Sequence, residues 1–199
     1  MSGFTLIELM VATSIFTIIM LMGVGSLVVS SNSAKASQKL RIAVDNVNFA
    51  MESMTRDLRT GTHYYCSDNI IFAETTTAVK DCPLTEGGAD MLTFTPQHVE
   101  GGVSPDRVAY KRVARSNGTG TYGLERLEYR SSDNSTINSD IVSPDVDVEL
   151  LKFIVLGSIL TDQIQPSVRI LMKGTVTVKG FKTPFVLQTM ASQRSSEQQ

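Results

Sequence analysis

The sequence predicts an α+β protein: one long N-terminal helix, membrane-spanning in its first half and amphipathic in its second, packed on an antiparallel β-sheet. Three observations predict it. Between Glu8 and Lys35 there is no charged residue, and Leu9 to Val29 is almost wholly apolar. Soon after, Leu40, Val44, Val47, Met51, Met54 and Leu58 recur at spacings of 4, 3, 4, 3 and 4, drawing one apolar stripe on a helix. Beyond Gly61 the pattern changes to short runs of β-formers separated by Gly, Pro, Asn and Asp.

Composition agrees. The chain has 199 residues, a net charge of −2 and a hydrophobic fraction of 42%, which suits one ordinary domain with an appendage. A polycation and an acidic disordered tail are both excluded. Only 19% of residues are charged, and the shortfall is local to the N-terminus. That asymmetry argues against a purely cytosolic globule.

The apolar stretch is long enough to cross a bilayer, since about 20 helical residues span the hydrocarbon core. A secretory signal has a shorter apolar region and a basic start, whereas this chain begins Met-Ser-Gly. The A-x-A at Ala34-Lys35-Ala36 keeps a signal peptide as one alternative, and a plain uncleaved anchor is another. Gly23 and Gly25 mark either close helix packing or a soft spot where the helix can stretch. Ser30 to Ser33 marks the exit from the bilayer. In the amphipathic half, Lys39, Arg41, Asp45, Glu52, Arg56 and Asp57 mostly face away from the stripe. One helix is expected from Phe4 to about Arg59, stopped at Thr60-Gly61. Strands are expected at Met91–Thr95, Arg107–Val113, Leu124–Tyr129, Glu149–Val155, Val168–Val178 and Phe185–Met190. No internal repeat is seen.

Cys66 and Cys82 both sit in polar, loop-like sequence beyond the apolar segment. That favours a disulfide in an oxidising compartment, against the alternative of two unrelated thiols. A zinc site is poorly supported: the histidines are His63 and His98, with no Cys-x-x-Cys beside them. No catalytic signature such as G-x-S-x-G or H-E-x-x-H occurs, so no enzyme is indicated.

Glu8 is the informative residue of the N-terminus. A carboxylate in an apolar segment either has a partner and a purpose or lies in the headgroup region. The run Gly3-Phe4-Thr5-Leu6-Ile7-Glu8-Leu9-Met10-Val11 resembles the processing motif of type IV pilins and type II secretion pseudopilins. The resemblance implies cleavage after Gly3 by a prepilin peptidase and N-methylation of the new N-terminal Phe4. It implies that Glu8 pairs with the free N-terminal amine of a neighbouring subunit, neutralising two charges in an apolar filament core. The pilin-like organisation that follows is leader 1–3, filament-core and membrane helix 4–30, amphipathic continuation 31–61, globular β domain 62–192 and flexible tail 193–199. Family leaders usually carry Lys or Arg before the glycine, and this one has neither. Lys35, Lys39 and Arg41 lie on the far side, so positive-inside reasoning alone would reverse the orientation. An external globule therefore rests on the resemblance.

Within the family, Met54-Thr55-Arg56-Asp57-Leu58-Arg59 is similar to J-type minor pseudopilins and W-type minor pilins. So are Val168–Met172, Phe185–Met190 and the closing Ser192-Gln193-Arg194. The resemblance implies a minor structural subunit at or near the tip of a type IV pilus or type II secretion pseudopilus. Implied partners are other pilins or pseudopilins, the peptidase and N-methyltransferase, an inner-membrane assembly platform and membrane lipid. Implied localisation is a single-pass inner-membrane protein that becomes part of an extracellular filament. The alternatives are a major pilin, whose disulfide usually lies nearer the C-terminus, and a membrane-anchored binding domain with a chance pilin-like start.

Gly118-Thr119-Gly120-Thr121-Tyr122-Gly123 spells G-x-G-x-x-G but sits among strands, so a hairpin turn is expected. Asp133, Asn134, Asn138, Asp140, Asp145 and Asp147 form an acidic, oxygen-rich loop. Some pseudopilins bind calcium in this region, which makes Asp133, Asn134, Asn138 and Asp140 calcium candidates. Their spacing fits no EF-hand, a solvated loop is the default, and no cofactor is otherwise implied. Arg107, Lys111, Arg112, Arg115, Arg126 and Arg130 interleave with Tyr110, Tyr122 and Tyr129, as a DNA-capturing pilin would want. As strand residues they fall on both faces, so nucleic acid is not the favoured partner. Asn117-Gly118-Thr119 and Asn134-Ser135-Thr136 are sequons that mean little in bacteria.

Overall fold

The computed structural model describes residues 3, 5–67, 78–97, 106–116, 120–132, 134–159 and 164–194. Helix α1 runs without a break over Leu6–Thr60, 55 residues. The chain separates into two compact units, Met1–Arg41 and Ile42–Gln199.

In the first unit the apolar side chains have no cover: Leu6, Ile7, Phe16, Ile19, Leu21 and Leu27 all stand exposed. This helix is long and apolar enough to cross a membrane. Three of its polar side chains are satisfied by its own backbone. Thr13 donates to the Leu9 carbonyl at 3.0 Å, Ser14 to Met10 at 2.7 Å and Thr17 to Thr13 at 3.0 Å. A hydroxyl bonded in this way adds little cost in hydrocarbon.

In the second unit the remainder of α1 lies against two antiparallel sheets. Sheet one is the meander β1 (Thr62–Ser67), β2 (Met91–Thr95), β3 (Arg107–Ala114), β4 (Tyr122–Arg130) and β5 (Ser135–Asp140). Sheet two is β6 (Val146–Leu156), β7 (Ser167–Val178) and β8 (Phe181–Ser192). Among the described residues between β1 and β2 lies a 3₁₀ turn, Leu84–Glu86.

The helix buries Ala43, Val47, Ala50, Met51, Met54 and Leu58. The expected stripe is corrected at one position: Val44 is 40% exposed and Ala43 takes its place. A small side chain suits close approach, and hydropathy alone cannot tell a small inward residue from a larger outward one. Two sheets replace the single one expected. They are separated by Ile141–Asp145, where Val146 N–H bonds back to the Ser143 carbonyl at 2.9 Å in a tight turn.

Two strands escaped the sequence reading. β1 begins with an irregularity between Thr62 and Tyr65, where His63 has φ 53°, so its alternation is broken. β5, Ser-Thr-Ile-Asn-Ser-Asp, is polar because it is an exposed edge with one paired side. β6 switches burial parity at a bulge between Val148 and Leu150: Val146 and Val148 point inward before it, Leu151, Phe153 and Val155 after it. β8 starts four residues earlier than expected. Lys179 (φ 49°) and Gly180 (φ 84°) form a two-residue turn of the type that matches strand twist, so β7 and β8 pair right up to it.

Candidate functional site

The N-terminus of α1 is shaped by Thr5-Leu6-Ile7-Glu8. Thr5 N–H and Thr5 Oγ1 both donate to Glu8 Oε2, at 3.0 and 2.9 Å, and Glu8 N–H donates to Thr5 Oγ1 at 3.4 Å. This is a reciprocal capping box, which satisfies N–H groups that every helix start leaves open. It also holds the Glu8 carboxylate folded back toward the chain's start. The spacing Thr-x-x-Glu before an apolar run is its sequence signature, and the sequence reading passed over it. Gly3 is exposed and has open space where a Cβ would stand. Phe4 lies outside the described residues.

In the globule, the Met54–Arg59 segment supplies a clamp between helix and sheet one. Tyr110 on β3 is wholly buried and its O–H donates to Asp57 Oδ2 at 2.6 Å. Arg126 on β4 donates to the same oxygen through Nε at 3.3 Å and pairs with Glu128 through Nη1. Burial, and secondarily the Asp57 charge, pushes the Tyr110 hydroxyl above its ordinary pKa. The helix end is closed by Tyr64, whose buried hydroxyl meets the carbonyls of Leu58 and, at 2.8 Å, Gly61. The Leu58 carbonyl is among the last-turn carbonyls that a helix cannot satisfy itself, and Gly61 is the residue just beyond the helix.

Cys66 on β1 and Cys82 are joined in a disulfide, Cα atoms 6.0 Å apart. Cys82 exchanges backbone hydrogen bonds with Val155 of β6, so the bridge ties β1 to sheet two.

The basic stretch is largely engaged inside the domain. Arg107 is buried and donates through Nη1 to the His63 carbonyl and Thr95 Oγ1, both at 3.1 Å, pinning the irregular start of β1. Desolvation lowers its pKa. Lys111 faces Glu125 at 3.7 Å, and Arg112 stacks 3.9 Å from the centre of the Tyr122 ring. Arg115 grips the β5–β6 connection, bonding Asp140 Oδ2, the Val142 and Ser143 carbonyls, and the Val146 carbonyl at 2.6 Å. Among the described residues, these side chains of the basic stretch turn to separate acids, carbonyls and rings rather than to one shared groove.

The oxygen-rich loop is corrected in the same way. Asn138 and Asp140 belong to strand β5, Asp140 is paired with Arg115 at 3.0 Å, and Asn134 accepts from the Tyr129 hydroxyl at 3.1 Å. Asp133 and His98 lie outside the described residues, as do Gly118 and Thr119 of the glycine-rich run. Among the described residues no group of three or more His, Cys, Asp or Glu is arranged to hold a metal. The glycine-rich run connects β3 to β4, which pair antiparallel from Ala114 and Tyr122, and no helix follows it.

These features define a class: a protein with one N-terminal helix fit to span a membrane, continuing into a disulfide-bridged α+β domain. Residues 1–24 match the family model described as the prokaryotic N-terminal methylation motif. That match supports the type IV pilin and pseudopilin family and points to a structural subunit rather than an enzyme. Comparison with curated proteins gives no match, nor does comparison with solved structures.

Proposed function

We propose that this chain is a minor pilin or pseudopilin, made as a membrane-anchored precursor and assembled at or near the tip of a type IV pilus or type II secretion pseudopilus. The observation that carries the reading is the methylation motif at residues 1–24, which overlaps the start of a helix whose apolar side chains from Leu6 to Val29 stand exposed. A helix of this kind needs either lipid or other helices around it. Processing after Gly3 exposes the Phe4 amine, the globule lies on the outer side of the cytoplasmic membrane, and an assembly platform draws the helix from lipid into a bundle. There the Glu8 carboxylate exchanges its capping partner for the Phe4 amine of a neighbour. The J-type or W-type assignment rests on the Met54–Arg59 segment, whose Asp57 anchors helix to sheet, and on the β7 and β8 sequences.

The test is the mature N-terminus. Co-expressed with an active prepilin peptidase, the membrane protein should begin at Phe4 and carry an N-methyl group in intact-mass and peptide measurements. Retention of Met1 under those conditions overturns the reading.

A further inference from the structure

The two edges of sheet two are treated differently. The β6 edge is covered by backbone pairing with Cys82 and Ala89. β8, at the other edge, is 12 residues long and has no strand beyond it among the described residues. Its first half carries Lys182 and Pro184, residue types that deter edge pairing. Its last eight residues, Phe185–Ser192, have neither charge nor proline, and Val186 is 63% and Met190 52% exposed. An unguarded edge of this length is a template for an added strand.

Beside that part of β8 runs an open groove of about 800 Å³, lined by Met51 and Thr55 of α1 and Thr189 of β8. Arg56, Arg59 and Arg194 also line it, against the single acid Glu52, in a chain whose net charge is −2. Glu52 pairs with Arg56 at 3.4 Å, but both side chains are at least 70% exposed, so the pair holds Arg56 only weakly. A strand laid along β8 would turn alternate side chains toward this groove.

We propose that the β8 edge from Phe185 to Ser192 accepts an extended strand of a partner protein, with Asp or Glu at alternate positions facing Arg56, Arg59 and Arg194. Backbone hydrogen bonds supply the affinity and the arginines select the charge. The β8 edge of a second copy is the wrong partner: β8 contains no acidic residue, and pairing β8 with β8 would bring two arginine-lined grooves together. The argument uses nothing from the N-terminal motif, so it stands apart from the filament reading.

The experiment uses the full chain in detergent micelles and a blocked, fluorescent octapeptide alternating Glu and Val. Anisotropy should show saturable binding, and hydrogen exchange of the Phe185–Ser192 amides should slow at least tenfold at saturation. A Lys/Val peptide, and the Glu/Val peptide with a central proline, should each bind at least tenfold more weakly. The Arg56→Glu/Arg59→Glu variant should lose binding to the same extent. If circular dichroism shows that variant unfolded, the two control peptides on the wild-type chain decide. Absence of saturable binding overturns the proposal, as does binding that leaves β8 exchange unchanged or is equal for the Lys/Val peptide. Concentration-dependent protection of β8 without peptide assigns the edge to a second copy and also overturns it.

Discussion

Tyr110→Phe isolates the bond that locks the helix to sheet one. The substitution removes a hydroxyl from a side chain with 0% exposure and leaves the ring stacked on Phe94, centroids 5.9 Å apart. What is lost is one hydrogen bond to a carboxylate, at 2.6 Å. Bonds to charged groups contribute about 1.5–3 kcal/mol. The Asp57 side chain is 30% exposed and keeps Arg126, so its freed oxygen can be hydrated, which favours the lower end, about 2 kcal/mol. For a domain of this size that corresponds to a Tm lower by about 4–8 °C. A second readout comes from pH. Burial raises the pKa of Tyr64 and Tyr110, so the native state holds both protons where the unfolded chain releases them near pH 10. This contribution is fully present below about pH 10 and is lost as pH rises above it, at about 1.4 kcal/mol per unit for each tyrosine. In Tyr110→Phe the alkaline slope should therefore be shallower by about 1.4 kcal/mol per unit. Thermal melts of the full chain in detergent, followed by near-ultraviolet circular dichroism from pH 7 to 11, measure both. An unchanged Tm together with an unchanged alkaline slope would refute the clamp.

Replacing both Cys66 and Cys82 by alanine should destabilise the globule by about 3 kcal/mol, since the bridge closes a separation of 16 residues; urea titration checks this, and a midpoint shift under a third of that size contradicts it. Gly174→Ala would set a Cβ 2.2 Å from the Asp147 carbonyl oxygen and 2.9 Å from the Phe185 ring. Because one of those neighbours is backbone, the loss should reach about 3 kcal/mol, at the upper end for overpacking, and a near-neutral urea midpoint would be inconsistent with it. Glu8→Gln keeps the capping-box geometry and removes the charge, whereas Thr5→Val removes the hydroxyl and keeps the charge. If Glu8 pairs with a neighbour's amine, only Glu8→Gln should lower the subunit's share in purified filaments relative to membranes; the opposite ranking would mean that Glu8 serves the helix cap.

The long helix was readable in the sequence because its signals are local. An uninterrupted apolar run, a stripe of period 3.6 and a terminal Thr60-Gly61 need no knowledge of what they touch, and the helix ends at Thr60. The same holds for β2, where the expected Met91–Thr95 is the strand observed. Strands that failed were those whose pattern depends on neighbours. β5 is polar because only one of its sides is paired, and β1 is broken by a left-handed His63 whose carbonyl is held by Arg107, buried two strands away at the start of β3. Charge was the least readable quantity. Arg107, Arg115 and Arg126 look alike in the chain, yet one is buried behind a strand, one grips a connection and one anchors the helix. Which acid or carbonyl meets each guanidinium is decided by strand register, through contacts dozens of residues apart. The N-terminal motif and its helix are thus written in consecutive residues, because a motif match and an apolar run are both properties of a linear segment. The clamp at Asp57, the covered β6 edge and the place of β8 at the end of its sheet among the described strands exist only once the sheets are paired, because an edge is a property of what lies beside a strand.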